Sequence, residues 1–229
     1  MRGRMVHPLG GPINLQPYGI DDSEVIWSVS RGGLNMLMMD AAERAGATLH
    51  FDAPLLDVSF GRSAQDTNMI AIGHDRGNAR EHRASVLIGA DGAGSALRAA
   101  MAHATDLGER VEPLGHGYKE LEIPPASGEM PFAIEPHALH IWPRGHYMCI
   151  ALPNAQGSFT VTLFLPNEGP HPSFATLPDA KAARTFFEQD FPDALELMPK
   201  FDEHWNAHPV GQLATLYLDR WHLHGRALL

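Results

Sequence analysis

The chain has little cysteine and a deficit of positive charge. Cys149 is the only cysteine among 229 residues, so the fold cannot depend on disulfide bonds. It lies in the apolar run YMCIALP, which favours a buried thiol over a nucleophile. Lysine and arginine number 17 against 27 acidic residues, and the net charge of -10 argues against nucleic acid and anionic membrane as partners.

Long apolar runs are also missing, and none approaches the length of a membrane span. Met1 is followed by RGRMVHPLGGP, in which no apolar stretch of the kind found in a secretion signal follows the arginines. We therefore expect a cytoplasmic, reducing compartment. The hydrophobic content of 44% is ordinary for a globular protein that buries a core.

Several catalytic and metal-binding motifs do not occur. There is no HEXXH pair, no G-x-S-x-G elbow and no P-loop, so hydrolase and nucleotidase functions have no motif support. His204 and His208 have helical spacing, although Pro209 limits any helix there, and His222 and His224 have the spacing of one strand face. Spacing places no third ligand, so no metal site is expected.

Glycine and proline dominate the first thirty residues. The stretch MRGRMVHP is predicted to be extended, and GGPINLQPYGIDDSE is predicted to be a loop. Apolar residues then recur at helical spacing through residues 32–45, among them Leu34, Leu37 and Met38, and Gly46 ends this amphipathic helix. Short strands are predicted at 48–51, 55–60, 69–73 and 84–89.

The last of these strands leads into the segment VLIGADGAGSALR. The strand is apolar enough to be covered on both faces. Gly92 and Gly94 permit a tight turn, and Ser95 can cap the helix that follows. Strand, turn and helix together indicate an α/β arrangement, with a helix start that can offer unpaired N–H groups to an anion. The alternative is a plain connection in which Asp91 only holds a turn.

From about Tyr118 the pattern is that of an antiparallel sheet. ALHIWP, HYMCIALP and SFTVTLFLP are predicted strands joined by the turns PRG and NAQG. Helices are predicted at 180–190 and 192–198, followed by the strands GQLATLYL and HGRALL. Alternation puts Leu139 and Ile141 on one face, and likewise Ile150 and Leu152. That face is either the wall of a pocket or a surface packed on a helix.

The segment VLIGADGAGSALR resembles the Asp-Gly motif of the flavoprotein aromatic hydroxylases, which lies beside the pyrophosphate of FAD. The resemblance continues in order through MRGRMVH, NLQPYG, Arg31, HGYKEL, LHIWPRG, MCIALPN and SFTVTLF. It implies an α/β (α+β) fold. The implied domains are a partial FAD-binding α/β domain at 1–115, a substrate-binding antiparallel sheet with helices at 116–212, and return strands at 213–229.

The resemblance also implies FAD as cofactor, NADPH as reductant and a small aromatic amino acid as substrate. By position, Arg4 and Tyr18 hold the substrate carboxylate, a task that suits a guanidinium and a phenol. Without the resemblance, we would expect Arg4 to be a solvated arginine and Tyr18 to be an aromatic residue of a loop. Arg31 and Leu55 correspond to FAD contacts, with Asp91 and Gly92 ranked lower. The implied apolar pocket residues are Leu139, Ile141, Ile150, Leu152 and Phe164.

The resemblance covers the middle of a typical family member. The G-x-G-x-x-G unit that seats the ADP part of FAD is missing, and the family's acidic FAD contact lies in a Gly-Asp motif beyond Leu229. We therefore expect an internal fragment with little activity alone. The alternative is a non-catalytic remnant that binds an aromatic ligand or a partner chain.

Overall fold

The structure is a computed structural model that describes residues 1–21, 23–61, 67–73, 79–128 and 131–229. Asp22, in the predicted N-terminal loop, lies outside these ranges. The chain forms two compact units, Met1–Met38 with Pro113–Ala214 and Met39–Glu112 with Thr215–Leu229. These limits differ from the predicted 1–115, 116–212 and 213–229, because the first 38 residues belong with the antiparallel sheet.

The described residues form helices and strands of both predicted types. The helices are α1 Arg31–Arg44, α2 Ala96–Ala104, α3 Ala180–Asp190, α4 Pro192–Leu195 and α5 Phe201–Ala207. The strands are β1 Gly3–Val6, β2 Asn14–Pro17, β3 Leu55–Ser59, β4 Asn68–Gly73, β5 Ala79–Ala84, β6 Leu87–Ile88, β7 Arg110–Ile123, β8 Ala138–Arg144, β9 Tyr147–Pro153, β10 Phe159–Pro166, β11 Gly211–Tyr217, β12 His222–Leu223 and β13 Ala227–Leu228.

The first unit is built on a seven-stranded sheet in the order β11-β7-β10-β9-β8-β1-β2. The pairings β7 to β10, β10 to β9 and β9 to β8 are antiparallel, which confirms the predicted meander. β1 runs parallel to β8, and β2 pairs antiparallel with β1. The N-terminal stretch thus extends the sheet, which accounts for its place in this unit.

One face of this sheet is packed against helices α3, α4 and α5. Alternate residues of β8, β9 and β10 point into this core, where Trp142, Cys149 and Leu163 are fully buried. From the helices come aromatic rings such as Phe187 and Phe201, whose centroids are 4.8 Å apart. Complete burial of large apolar side chains stabilises a fold by about 1.5–3 kcal/mol each. This face therefore carries the stability of the unit.

The second unit contains two three-stranded sheets, β3-β4-β5 and β12-β13-β6. Leu97 and Met101 of α2 are buried in its core with Val58 and Leu107. The strand predicted at 84–89 is reduced to β6, and Ile88 is 77% exposed, so the expectation of a strand covered on both faces is wrong. β6 lies at the edge of its sheet.

Other differences concern short or exposed elements. Residues 48–51 form no strand, whereas the polar segment AREHRA forms β5 at a sheet edge, where an exposed strand needs no apolar alternation. β2 lies inside the predicted N-terminal loop, and α5 was not predicted. Helix α3 matches its prediction, and α1 begins one residue before and ends one residue before the predicted helix. The mixed α/β class is confirmed.

Candidate functional site

The second face of the seven-stranded sheet is not covered by helices α3, α4 and α5. Leu139 and Ile141 of β8, Ile150 and Leu152 of β9, and Phe164 of β10 are all half-buried, and each alternates with buried core residues. Ile141 lies opposite Ile150, and Arg4 lies opposite Leu139. The structure thus places the five predicted pocket residues and Arg4 on one open face.

Arg4 and Tyr18 lie together beside this face. The Cζ atom of Arg4 is 5.5 Å from the centroid of the Tyr18 ring. The Oη atom of Tyr18 is buried and has no hydrogen-bond partner among the described residues. Arg4 is exposed, and no ion pair is formed by its guanidinium within the described part of the chain. A cation beside an unsatisfied phenol is suited to an anion, since both groups can donate hydrogen bonds to it.

A groove of about 820 Å³ runs along the open face of the first unit. Ile150, Leu152 and Phe164 line it together with Arg31, the first residue of α1. Its volume is in the range of small-molecule sites. Arg4, Tyr18, Leu139 and Ile141 are not among its lining residues. The groove therefore brings part of the predicted apolar wall together with one predicted cofactor residue. Arg4 and Tyr18, the pair predicted to bind the substrate carboxylate, lie outside it.

The sequence reasoning missed a polar wall of this groove. β7 supplies part of it through exposed residues that alternate with buried ones, and β10 supplies part through half-buried Thr160 and buried Thr162. The spacing in GYKELEI was a readable signal, since Glu120 and Glu122 are two residues apart on either side of Leu121. The polar lining residues include Glu120 and Glu122 of β7, Thr160 and Thr162 of β10, and Asn154 and Gln156 of the turn between β9 and β10.

In the second unit, Asp91 caps helix α2. Its Oδ2 atom accepts hydrogen bonds from the backbone N–H groups of Ala96 at 2.7 Å and Leu97 at 3.3 Å. Ser95 Oγ accepts from the N–H of Arg98 at 2.9 Å. Burial acts to raise the pKa of Asp91, but hydrogen bonds from Ser95, Leu97 and Ala96 outweigh it, so the pKa lies below its ordinary value. The expectation that this helix start offers unpaired N–H groups to an anion is therefore wrong.

Gly92 follows Asp91 and keeps the backbone open. Its φ of 73° is in the left-handed region, and nothing lies within 4 Å of the position of an added Cβ. Asp91, Gly92, Arg98 and Trp221 line a groove of about 480 Å³. A cofactor in this groove would contact the Gly92 backbone and apolar side chains, because the N–H groups of α2 are already bonded.

Leu55 lies in the second unit, at the start of β3, and packs partly buried against the core of that unit. It does not line either groove described above. Arg31, in contrast, is exposed and makes no ion pair with any residue that the structure describes. Of the expected cofactor residues, Arg31 thus has the free charge that an anionic group requires.

The histidines considered for a metal site are not gathered into one. The rings of His204 and His208 are stacked with centroids 5.8 Å apart. Within the described ranges, no three His, Cys, Asp or Glu residues are grouped so that they could hold a metal ion. No helix in the described part of the chain is both long and apolar enough to cross a membrane.

Comparison with solved structures defines the class of the fold. The chain superposes on 2-methyl-3-hydroxypyridine-5-carboxylic acid oxygenase with a TM-score of 0.68 and 15% identity, covering 99% of this chain and 55% of that one. It superposes on a flavoprotein/dehydrogenase from Cytophaga hutchinsonii with a TM-score of 0.64 and 15% identity, covering 99% and 53%. The fold is therefore one found in flavoproteins of this kind.

Sequence comparison points to a particular relative. The chain is 59% identical to kynurenine 3-monooxygenase from Xanthomonas axonopodis pv. citri and 55% identical to that from Xanthomonas campestris pv. campestris, over its whole length in both cases. It spans 49% of each relative, about half of their length. No family model matches the chain. The resemblance to flavoprotein aromatic hydroxylases is confirmed by these matches to kynurenine 3-monooxygenases.

Proposed function

We propose that this chain forms the substrate-binding part of an FAD-dependent aromatic hydroxylase that acts on kynurenine. The supporting observation is the open face of the seven-stranded sheet, which presents five apolar side chains next to a free guanidinium and an unsatisfied phenol. An apolar surface with one anion-binding end matches an aromatic amino acid in both polarity and charge.

The roles follow from the chemistry of each group. Arg4 and Tyr18 bind the substrate carboxylate, and the guanidinium grips it through two parallel hydrogen bonds. Leu139, Ile141, Ile150, Leu152 and Phe164 form the surface that orients the aromatic ring and excludes water from it. No acid–base pair is needed for these tasks.

When bound, FAD reduced by NADPH would activate O2, so that one oxygen atom is added to the ring and the other leaves as water. In this chain Arg31 would bind an anionic part of the cofactor, and the Gly92 backbone would allow its close approach. Asp91 acts indirectly, since it holds the turn and caps α2. Leu55 supports the core of the second unit and lines neither groove.

A chimera tests the proposal. This chain replaces its aligned segment in the Xanthomonas axonopodis enzyme, to which it is 59% identical. The purified chimera should contain FAD, oxidise NADPH faster when kynurenine is added, and release 3-hydroxykynurenine. A chimera that folds and holds FAD but shows no response to kynurenine would contradict the substrate assignment. Binding of kynurenine without turnover would favour the alternative, a ligand-binding remnant.

A further inference from the structure

A buried line of polar groups connects the end of β1 with helix α4. His7, which directly follows β1, is 7% exposed, and His140 of β8 is 2% exposed. His7 Nδ1 lies 3.0 Å from Asp193 Oδ2, and His7 Nε2 lies 2.9 Å from His140 Nδ1. His140 Nε2 lies 2.9 Å from the backbone oxygen of Glu135. The two imidazoles thus form one chain of three contacts between two oxygen atoms.

When both imidazole rings are neutral, these three contacts have one proton too few for three hydrogen bonds. Each contact needs a proton between its two atoms. The carbonyl of Glu135 and the carboxylate of Asp193 can only accept, and each neutral imidazole brings one N–H. Two neutral rings therefore close two of the three hydrogen bonds. In the third contact, two lone pairs face each other unless a further proton is bound.

The surroundings decide when that proton binds. Burial lowers the pKa of His140, and it lowers the pKa of His7 against the opposing hydrogen bond and charge of Asp193. The pair therefore takes up its third proton only at a pH below the ordinary histidine range. The other charged or titratable groups nearby are Arg144 of β8, Asp190 of α3, Tyr147 and Cys149 of β9, and the carboxylate of Glu135.

We propose that His7 and His140 form a proton-dependent latch between α4 and β1, the strand that carries Arg4. With three ring protons all three hydrogen bonds close. With two, His140 donates to Glu135, His7 donates from Nε2 to His140, and the contact with Asp193 opens. That contact opens first because the Asp193 side chain is 49% exposed, so water can take the place of His7.

The latch acts on the end of β1 and leaves its backbone pairing in place. His7 N donates to Ile141 O at 2.8 Å, and His7 O accepts from Arg144 Nη1 at 3.0 Å. Asp193 also keeps a hydrogen bond from Trp142 Nε1 at 2.7 Å. His7 is therefore a positioning residue for β1. Any effect on substrate binding through Arg4 rests on the proposed function, whereas the titration itself does not.

The purified full chain allows the titration to be observed directly. Nitrogen NMR of the imidazole rings, between about pH 5 and pH 8, follows each ring separately. We expect His7 and His140 to titrate as one coupled event, with a midpoint below the ordinary histidine value of 6.5. At neutral pH each ring should carry its proton on Nε2. Independent titration of the two rings at that ordinary value would overturn the proposal.

Two substitutions at Asp193 separate the latch from ordinary packing. In Asp193→Asn an amide nitrogen in the place of Oδ2 can donate to His7 Nδ1, so the line closes without a third proton, and the hydrogen bond from Trp142 Nε1 to the same Oδ2 atom is lost. Asp193→Ala leaves it open at every pH. The rate of amide exchange in β1, measured relative to β10, should no longer depend on histidine protonation in either variant. Exchange of the β1 amides should be slower in Asp193→Asn than in Asp193→Ala.

The exposed His137→Gln is the matched control and should exchange like the parent chain. Equal exchange of the β1 amides in the parent, Asp193→Asn and Asp193→Ala chains would overturn the latch. This readout needs neither FAD nor kynurenine. A failure of the latch is therefore distinguishable from a failure of the proposed function, which the chimera tests.

Discussion

Arg4 holds its guanidinium carbon 5.5 Å from the centre of the Tyr18 ring, and the buried Tyr18 hydroxyl has no partner among the described residues. An unsatisfied buried hydroxyl destabilises the protein by about 1–3 kcal/mol. An anion that accepts a hydrogen bond from this hydroxyl removes that cost. The pair is thus prepared for a carboxylate before any ligand binds.

Removing the charge of this pair should weaken substrate binding and spare the cofactor. Hydrogen bonds to charged groups contribute about 1.5–3 kcal/mol, so Arg4→Ala in the chimera should raise KM for kynurenine by roughly 10- to 100-fold. Flavin content, read from the absorbance of the purified protein, should not change. Arg44→Ala, at the exposed end of α1, is the control. An unaltered KM in Arg4→Ala would refute the carboxylate role.

Removing the Tyr18 hydroxyl should have opposite effects on the free and the bound protein. Tyr18→Phe deletes a buried group without a partner, so the free energy of unfolding should stay constant or rise by up to about 1 kcal/mol. Kynurenine should bind about 10-fold more weakly. Tyr147→Phe provides the contrast, because the Tyr147 hydroxyl donates to Asp190, and its loss should lower the free energy of unfolding. Urea denaturation measures both variants.

The two faces of the sheet should respond differently to truncation. Leu163 of β10 is fully buried in the core, so Leu163→Ala should lower the free energy of unfolding by about 2–5 kcal/mol. Leu152 is half-buried on the open face, so Leu152→Ala should cost clearly less. In the chimera, however, Leu152→Ala should raise KM for kynurenine. Equal destabilisation by both substitutions would show that the open face is part of the core.

Strand alternation made the two-faced sheet predictable from the sequence. ALHIWP alternates between buried and half-buried residues as far as Trp142, and SFTVTLFLP does so except at Ser158 and Thr162, which are buried as well. The likeness of MRGRMVH and NLQPYG to a known family also singled out Arg4 and Tyr18 as candidates for binding the substrate carboxylate. Local pattern could not show that β1 joins the sheet beside β8, because that parallel pairing links residues about 135 positions apart.

Side-chain bonding was the other feature that local sequence could not provide. A helix start after a glycine turn has the general form of an anion site. Whether its N–H groups are free depends on the rotamer of Asp91, which here bonds Ala96 and Leu97. Likewise His7, His140 and Asp193 are far apart in sequence, and only the folded chain brings them into one line.

The capping role of Asp91 predicts a loss of stability that depends on its charge. Asp91→Ala removes the acceptor of two backbone N–H groups of α2 and should cost about 0.5–2 kcal/mol of the free energy of unfolding. Because the folded pKa of Asp91 lies below its ordinary value of 3.8, this contribution is present above that value and is lost as the pH falls through the folded pKa. Thermal unfolding followed by circular dichroism at neutral and acidic pH measures the loss of stability in Asp91→Ala and its dependence on pH.

Asp91→Asn and Ser95→Ala complete this test. The amide oxygen of asparagine can still accept a hydrogen bond, so Asp91→Asn should cost less than Asp91→Ala and show no carboxylate titration. Ser95→Ala removes a different acceptor of the same helix, the partner of Arg98 N. A variant Asp91→Ala that unfolds at the same temperature as the parent chain would exclude the cap.

The buried histidine pair predicts how the stability of the first unit depends on pH. Burial keeps the folded pKa values of His7 and His140 below the ordinary value of 6.5, so on acidification the unfolded chain binds protons first. The free energy of unfolding should therefore fall as the pH drops from that value through the folded pKa values. Urea denaturation followed by tryptophan fluorescence reports this unit, because Trp142 and Trp205 are buried in its core.

Substitution of Asp193 should make this dependence steeper. The charge and the hydrogen bond of Asp193 both act to raise the pKa of His7. Asp193→Asn removes the charge, so the folded pKa of His7 falls further below its unfolded value and more stability is lost as the pH falls through the folded pKa of the parent chain. His137→Gln, which changes an exposed ring, should reproduce the slope of the parent chain. A slope that is the same in Asp193→Asn and in the parent would mean that Asp193 does not control the protonation of His7.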